Sequence, residues 1–234
     1  MNERFVTVPQ NYKLLKPIHG WFHIAAMLGG DYIASEIHGR LMQSGLYEAS
    51  TSIHISIVGD SNQKDRLIDY IFSRHSKYDI FYTSTNLEDY EWPSLVNMHK
   101  FAETNDANCF YIHTKGASNC RSDVSTSIQK NIRYWRDVMC YNTIGKYLEC
   151  QYLLDSEYDT VGSLFKFGRH YAGNFWWTKT SHLRKLPYPQ GNRMEAEGWV
   201  TNLSNVKVFD QFNVPSDDLY GFYTNNPFEG YTRQ

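Results

Sequence analysis

Asn108-Cys109-Phe110-Tyr111-Ile112-His113-Thr114-Lys115-Gly116 reads as a short buried strand that empties into a polar turn closed by glycine. Such a turn places an imidazole, a hydroxyl and an ammonium where an α/β sheet receives a phosphorylated ligand, outside the carboxyl ends of its strands. The plainer alternative is an exposed turn lysine beside a hydrogen-bonded strand-end histidine. Which reading holds depends on what the rest of the chain brings to this strand end.

Towards the amino terminus, strand and helix patterns alternate. Residues 21–27 read as a first strand broken by Gly29-Gly30, after which Ile33, Ile37 and Leu41 recur every four positions until Gly45. A β-branched run at 53–58 ends at Gly59-Asp60; Leu67, Ile68, Ile71 and Phe72 mark a helix; 79–83 is a short strand; Trp92-Pro93 opens another helix. Strands alternating with helices of this length predict βαβ units and a mostly parallel sheet with its ligand loops along one edge.

Beyond Gly116, the polar stretch 117–127 reads as a loop. Ile128, Ile132, Trp135 and Met139 then set a helical period that carries to about Leu154. A strand is expected at 159–163, an aromatic one at 171–178, a short helix capped by Thr180 and ended by Pro187, and a last strand at 206–209 before a tail rich in Pro, Asn and Gly. Asn192 with Glu195 three positions later has capping-box form. With no internal repeat, low-complexity tract or linker, one domain over 1–234 is expected.

The 234 residues, 41% hydrophobic and 21% charged, suffice for one sizeable core. A net charge of -2 argues against the basic footprint of a nucleic-acid or anionic-membrane binder. Tyr and Trp, at 18 and 6 residues, suit the faces of carbohydrates but fill cores equally well. Cys109, Cys120, Cys140 and Cys150 form no Cys-x-x-Cys pair, so reduced thiols are expected and a metal framework is not. No apolar leader or run of membrane-spanning length is present, and a soluble, cytoplasmic chain without a transmembrane segment is expected.

Several side chains are candidates for chemistry. His23 lies where the first strand approaches its ligand edge, placed to bond a base, ribose or phosphate oxygen, or to pack against the sheet. Asp60 is placed to accept from a ribose or base, or to close a turn. If 171–178 is a strand, Trp176 and Trp177 face opposite sides, so one of them is a candidate platform for a sugar ring and the alternative is a second small core. Gly173-Asn174 lets a ligand approach the backbone closely. Glu195 is best used as the capping partner of Asn192, which leaves Glu197 as the candidate general base for an acceptor hydroxyl. A solvated helix glutamate is the plainer reading of Glu197. A cation for an anionic leaving group, an aromatic floor and a carboxylate together point to sugar transfer.

The ordered set Trp21-Phe22-His23-Ile24-Ala25, Ser44-Gly45-Leu46-Tyr47, Tyr90-Glu91-Trp92-Pro93-Ser94-Leu95, Tyr111-Ile112-His113-Thr114-Lys115-Gly116, Trp135-Arg136, Gly173-Asn174-Phe175-Trp176-Trp177 and Glu197-Gly198-Trp199 resembles a family of bacterial and viral glycosyltransferase-like domains. More remotely it is similar to rhamnan synthesis protein F. The resemblance implies a GT-A-like α/β domain, with a nucleotide-binding half at about 18–116 and an acceptor half at about 117–234. It also implies a nucleoside-diphosphate sugar donor, a glycan acceptor and transfer of a hexose or deoxyhexose, rhamnose being the sugar the remote relative points to. In that reading His113, Thr114 and Lys115 hold the diphosphate with His23 and Asp60 nearby. Asn174, Trp176, Trp177 and Arg193 meet sugar or acceptor, and Glu197 is the base of an inverting transfer. The chain lacks the Asp-x-Asp that usually binds Mn²⁺ or Mg²⁺ in such enzymes, so Lys115 is expected to supply the charge a metal otherwise would. A carbohydrate-binding or assembly module without catalysis on the same fold is the competing expectation.

Overall fold

The computed structural model describes residues 2–214, so the tail that the sequence marks as rich in Pro, Asn and Gly lies outside the described residues. Its frame is a seven-stranded sheet whose parallel strands are joined through helices, as βαβ units are. In chain order the small pairing strand β1 (Asn2–Glu3) is followed by β2 (Ile18–Ala26), α1 (Gly30–Gln43), α2 (Leu46–Ala49), β3 (Ser50–Gly59), α3 (Ser61–Tyr70) and β4 (Tyr78–Ser84). Then come α4 (Trp92–Thr104), β5 (Asn108–His113), α5 (Thr126–Cys140), α6 (Tyr147–Ser156) and β6 (Thr160–Gly162). A small hairpin of β7 (Phe165–Lys166) and β8 (His170–Tyr171) precedes β9 (Trp176–Lys179), α7 (Thr180–Leu183), α8 (Arg193–Gly198), β10 (Val208–Asp210) and β11 (Phe212–Asn213). The sheet order is β10-β6-β9-β5-β2-β3-β4, and only β9 runs antiparallel to its neighbours. This is a single mixed α/β domain with a mostly parallel central sheet flanked by helices, as expected of a GT-A-like chain.

Period-two alternation divides the core into two layers. Phe22, Ile24, Ile55, Ile57, Phe110, Ile112 and Trp177 join one buried cluster with Ile33, Ile37 and Leu41 of α1 and Val138 and Met139 of α5. Their strand neighbours Trp21, Tyr111 and Trp176 join the other with Leu95 and Met98 of α4 and Leu183 of α7. Because both faces are covered, the central strands read as near-continuous apolar runs rather than as alternating ones.

Two elements depart from the sequence expectation. The helix predicted to continue from Ile128 to about Leu154 is interrupted by a π-helical turn at Tyr141–Gly145, which separates α5 from α6. The aromatic strand expected at 171–178 is shorter. Tyr171 ends β8, Gly173 (φ 89°) and Asn174 (φ 58°) turn the chain through the left-handed region, and only from Trp176 does it join the sheet. Glycine and asparagine are the residues that tolerate that conformation, and the turn they make serves the site described next.

Candidate functional site

Parallel strands β2, β3 and β5 end side by side, and the in-register pairing His23↔His113 and Ala26↔Gly59 aligns those ends. The Thr114 N–H donates to the His23 carbonyl (3.1 Å) and the Ala25 N–H donates to Thr114 Oγ1 (2.9 Å), so the turn after β5 is tied to β2. Next to these ends is a cavity of about 360 Å³ whose lining includes His23, Tyr90, Glu91, His113, Thr114, Lys115 and Glu197. Residues distant in sequence are thus brought together where an open α/β sheet binds ligands.

The Lys115 ammonium sits 4.2 Å from the centre of the Trp135 ring, a cation–π contact that fixes its position. Behind it, Arg136 Nη1 donates to the Lys115 carbonyl (3.0 Å) and Arg136 Nη2 to Glu36 (3.1 Å), anchoring the turn to α5 and α1. Gly116 follows at φ 92°, and a Cβ there would lie 2.5 Å from Ile132 Cγ2, so the turn needs glycine for both conformation and space.

Glu91, just before α4, is the carboxylate that sequence reasoning missed as a site residue. One of its oxygens lies 3.6 Å from His113 Nδ1 and the other accepts from Asn174 Nδ2. Asn174 Oδ1 in turn accepts from Trp176 Nε1 (2.6 Å), and the Gly173 carbonyl is 2.8 Å from His113 Nε2. The two motifs singled out in the sequence are therefore hydrogen-bonded to each other, the Gly-Asn turn clamping Glu91 and His113. His113 Nε2 is thus taken up by the Gly173 carbonyl, while Nδ1 lies near Glu91 at a distance too long for a direct hydrogen bond, and the ring still lines the cleft. Tyr111, fully buried beneath them, has its phenol pushed well up by burial and then by the charges of Glu91 and Glu197, which lie close enough to act on one hydroxyl.

His23 Nδ1 shares a hydrogen bond with Ser56 Oγ (2.8 Å), which continues to Ser94 Oγ (2.7 Å). Burial lowers the imidazole to about 4, against the attraction of Glu91 and with the repulsion of His113. The unfolded chain, with a value near ~6.5, takes up a proton in a range where the folded protein does not. Stability present above pH 6.5 is therefore lost as pH falls towards 4. Urea midpoints at pH 7 and pH 5 check this: the loss on acidification should be smaller in His23→Gln than in the parent, and an equal loss would remove His23 as its source.

The structure corrects three sequence expectations. Trp176 and Trp177 do face opposite sides, but each is 0% exposed and each belongs to a core layer, so neither is a platform for a sugar ring. Asn174 is buried and acts through Glu91 instead of meeting ligand itself. Asp60 is the N-cap of α3, accepting from the Gln63 N–H (2.9 Å), and does not line the cavity. The nearest donors to a strand-end aspartate are the free N–H groups of the helix it precedes, and they claim it.

Glu195 completes the capping box with Asn192, as its spacing predicts, which leaves Glu197 two residues further on to line the cleft. Arg193 begins α8, but its side chain lies outside the described residues. The exposed aromatic edge of the cleft is Tyr90, held at φ 45°, a strained backbone for a tyrosine and of a kind that concentrates at functional sites. The cleft is mixed in charge: Lys115 lines it together with the carboxylates of Glu91 and Glu197. Among the described residues no group of three or more His, Cys, Asp or Glu side chains is placed to hold a metal ion. No helix among them is long and apolar enough to cross a membrane.

No curated protein matches the chain. Residues 33–221 match the model of a family described as a domain of unknown function (DUF8361), a span that holds every cleft residue from Val58 to Glu197, and the chain belongs to that family.

Proposed function

We propose that the protein is a glycosyltransferase that moves a hexose or deoxyhexose from a nucleoside-diphosphate sugar to a glycan hydroxyl, with inversion at the anomeric carbon. The observation that carries this reading is that Lys115 and Glu197 line one cleft at the carboxyl edge of a mostly parallel sheet. The reaction needs a fixed positive charge for a diphosphate leaving group and a carboxylate for an acceptor proton. The acceptor oxygen attacks the anomeric carbon as the bond from that carbon to the diphosphate oxygen breaks. The bonding pair leaves with the diphosphate beside the Lys115 ammonium, and the hydroxyl proton passes to the Glu197 carboxylate. Glu91, held by Asn174 and His113, faces the same space and suits sugar hydroxyls as a hydrogen-bond acceptor. Tyr90 takes the ring-supporting role that the buried tryptophans cannot.

Incubating the protein with a panel of sugar nucleotides, with and without Mn²⁺ and EDTA, tests the reading. Release of a nucleoside diphosphate from at least one of them is expected. No release from any member, with or without added glycan acceptors, would favour a binding module over an enzyme.

A further inference from the structure

Across residues 116–120 from the cleft lies a second cavity, of about 630 Å³, that shares Gly116 and Asn119 with the first. It runs along the first turns of α5 and is lined by Thr126, Gln129, Lys130, Arg133 and Arg136, with Tyr32 of α1 opposite. Its volume is that of an ordinary ligand site. Its electrostatics differ from those of the cleft. Arg136 and Asp137, which both line it, belong to a chain in which Arg136 pairs with Glu36, Glu36 with Arg40 and Arg40 with Asp137, two positive charges against two negative. Lys130 and Arg133, both exposed, stand outside that balanced set and leave the cavity with a positive excess. Arg136 is only 5% exposed, and its Nε finds no acceptor among the described residues. That Nε is itself closed to solvent, so the positive charge open to a ligand in the cavity is that of the exposed Lys130 and Arg133.

We propose that this second cavity binds an oxyanion-bearing sugar, phosphorylated or uronic, and that it is the acceptor subsite of the transfer proposed above, on which reading the acceptor role depends. An acceptor whose anionic group rests against Lys130 and Arg133 reaches past Gly116 and Asn119 into the cleft, where its hydroxyl meets Glu197. Tyr32 and Tyr134 line the same cavity, the Lys130 ammonium lying 5.6 Å from the centre of the Tyr134 ring. The donor diphosphate needs Lys115 and not these residues, so the two subsites are separable by mutation.

Calorimetric titration of glucose 6-phosphate, glucuronate and glucose, each with and without saturating uridine diphosphate, tests this. The charged sugars are expected to bind and glucose not, with or without the nucleotide. Binding of phosphate and uronate alike marks a general oxyanion site, and binding of phosphate alone marks a phosphorylated acceptor. In the surface double variant Lys130→Ala/Arg133→Ala their affinity should fall about tenfold or more, and in Lys115→Ala it should be unchanged. Equal binding of glucose, unchanged affinity in the double variant, or displacement by uridine diphosphate would overturn the proposal. Loss of nucleotide binding in the double variant would also overturn it, by assigning the cavity to the donor. Charged-sugar binding that stays intact while the parent binds none of the uridine, guanosine and thymidine diphosphates would sink the donor reading and leave the oxyanion site standing.

Discussion

A Lys115→Ala variant is expected to release nucleoside diphosphate from its donor about 10²–10³-fold more slowly than the parent, with little change in stability. The size of the loss follows from what the side chain does when the bond breaks. Negative charge accumulates on the leaving oxygens, and a preorganised ammonium stabilises that state more than the intact donor, so removing it raises the barrier and not merely the donor's dissociation constant. The fold should survive because the turn is held by groups that alanine keeps. The Lys115 N–H donates to the His113 carbonyl (2.8 Å) and its own carbonyl accepts from Arg136. The structural losses include the contact with Trp135, worth about 0.5–2 kcal/mol. Steady-state release assays beside thermal melts separate the two effects. Unchanged turnover in a folded variant would count against the assignment.

Glu197→Gln should retain donor binding and lose transfer by about 10²–10⁴-fold, the range for removal of a positioned general base. Glutamine keeps the size of the side chain and its acceptor oxygen but cannot take the hydroxyl proton. The capping box that starts α8 is made by Asn192 and Glu195 and is untouched by the change. Donor affinity by titration and transfer by product analysis therefore divide cleanly. A variant as active as the parent would remove Glu197 from the mechanism and leave Glu91 as the other carboxylate lining the cleft among the described residues.

How much of this was legible before any coordinates differs from residue to residue. The turn at His113-Thr114-Lys115-Gly116 and its place at a strand end could be read directly, because an apolar run followed by polar residues and glycine has few other geometries. Glu197 could be separated from Glu195 because the capping box has fixed spacing and claims one of the two. The alternation of Trp176 and Trp177 was also legible, but not that both faces of β9 are covered; periodicity tells which way side chains point, not what meets them there. Asp60 showed the same limit, since a strand-end aspartate before a helix serves a cap or a ligand with the same sequence. Glu91 had no local signal beyond standing ahead of Trp92-Pro93. Its role comes from tertiary approach to His113 and Asn174, which short-range patterns do not encode. The π-helical turn after α5 escaped for a related reason, as the apolar period continues on either side of it.

A crystal structure of the protein soaked with a nucleoside diphosphate bears on the whole proposal. Phosphate oxygens should lie within hydrogen-bonding distance of the Lys115 ammonium, inside the cleft lined by His23, Glu91 and Glu197. A diphosphate seated instead among Lys130, Arg133 and Arg136, or anywhere out of reach of Lys115, would contradict it.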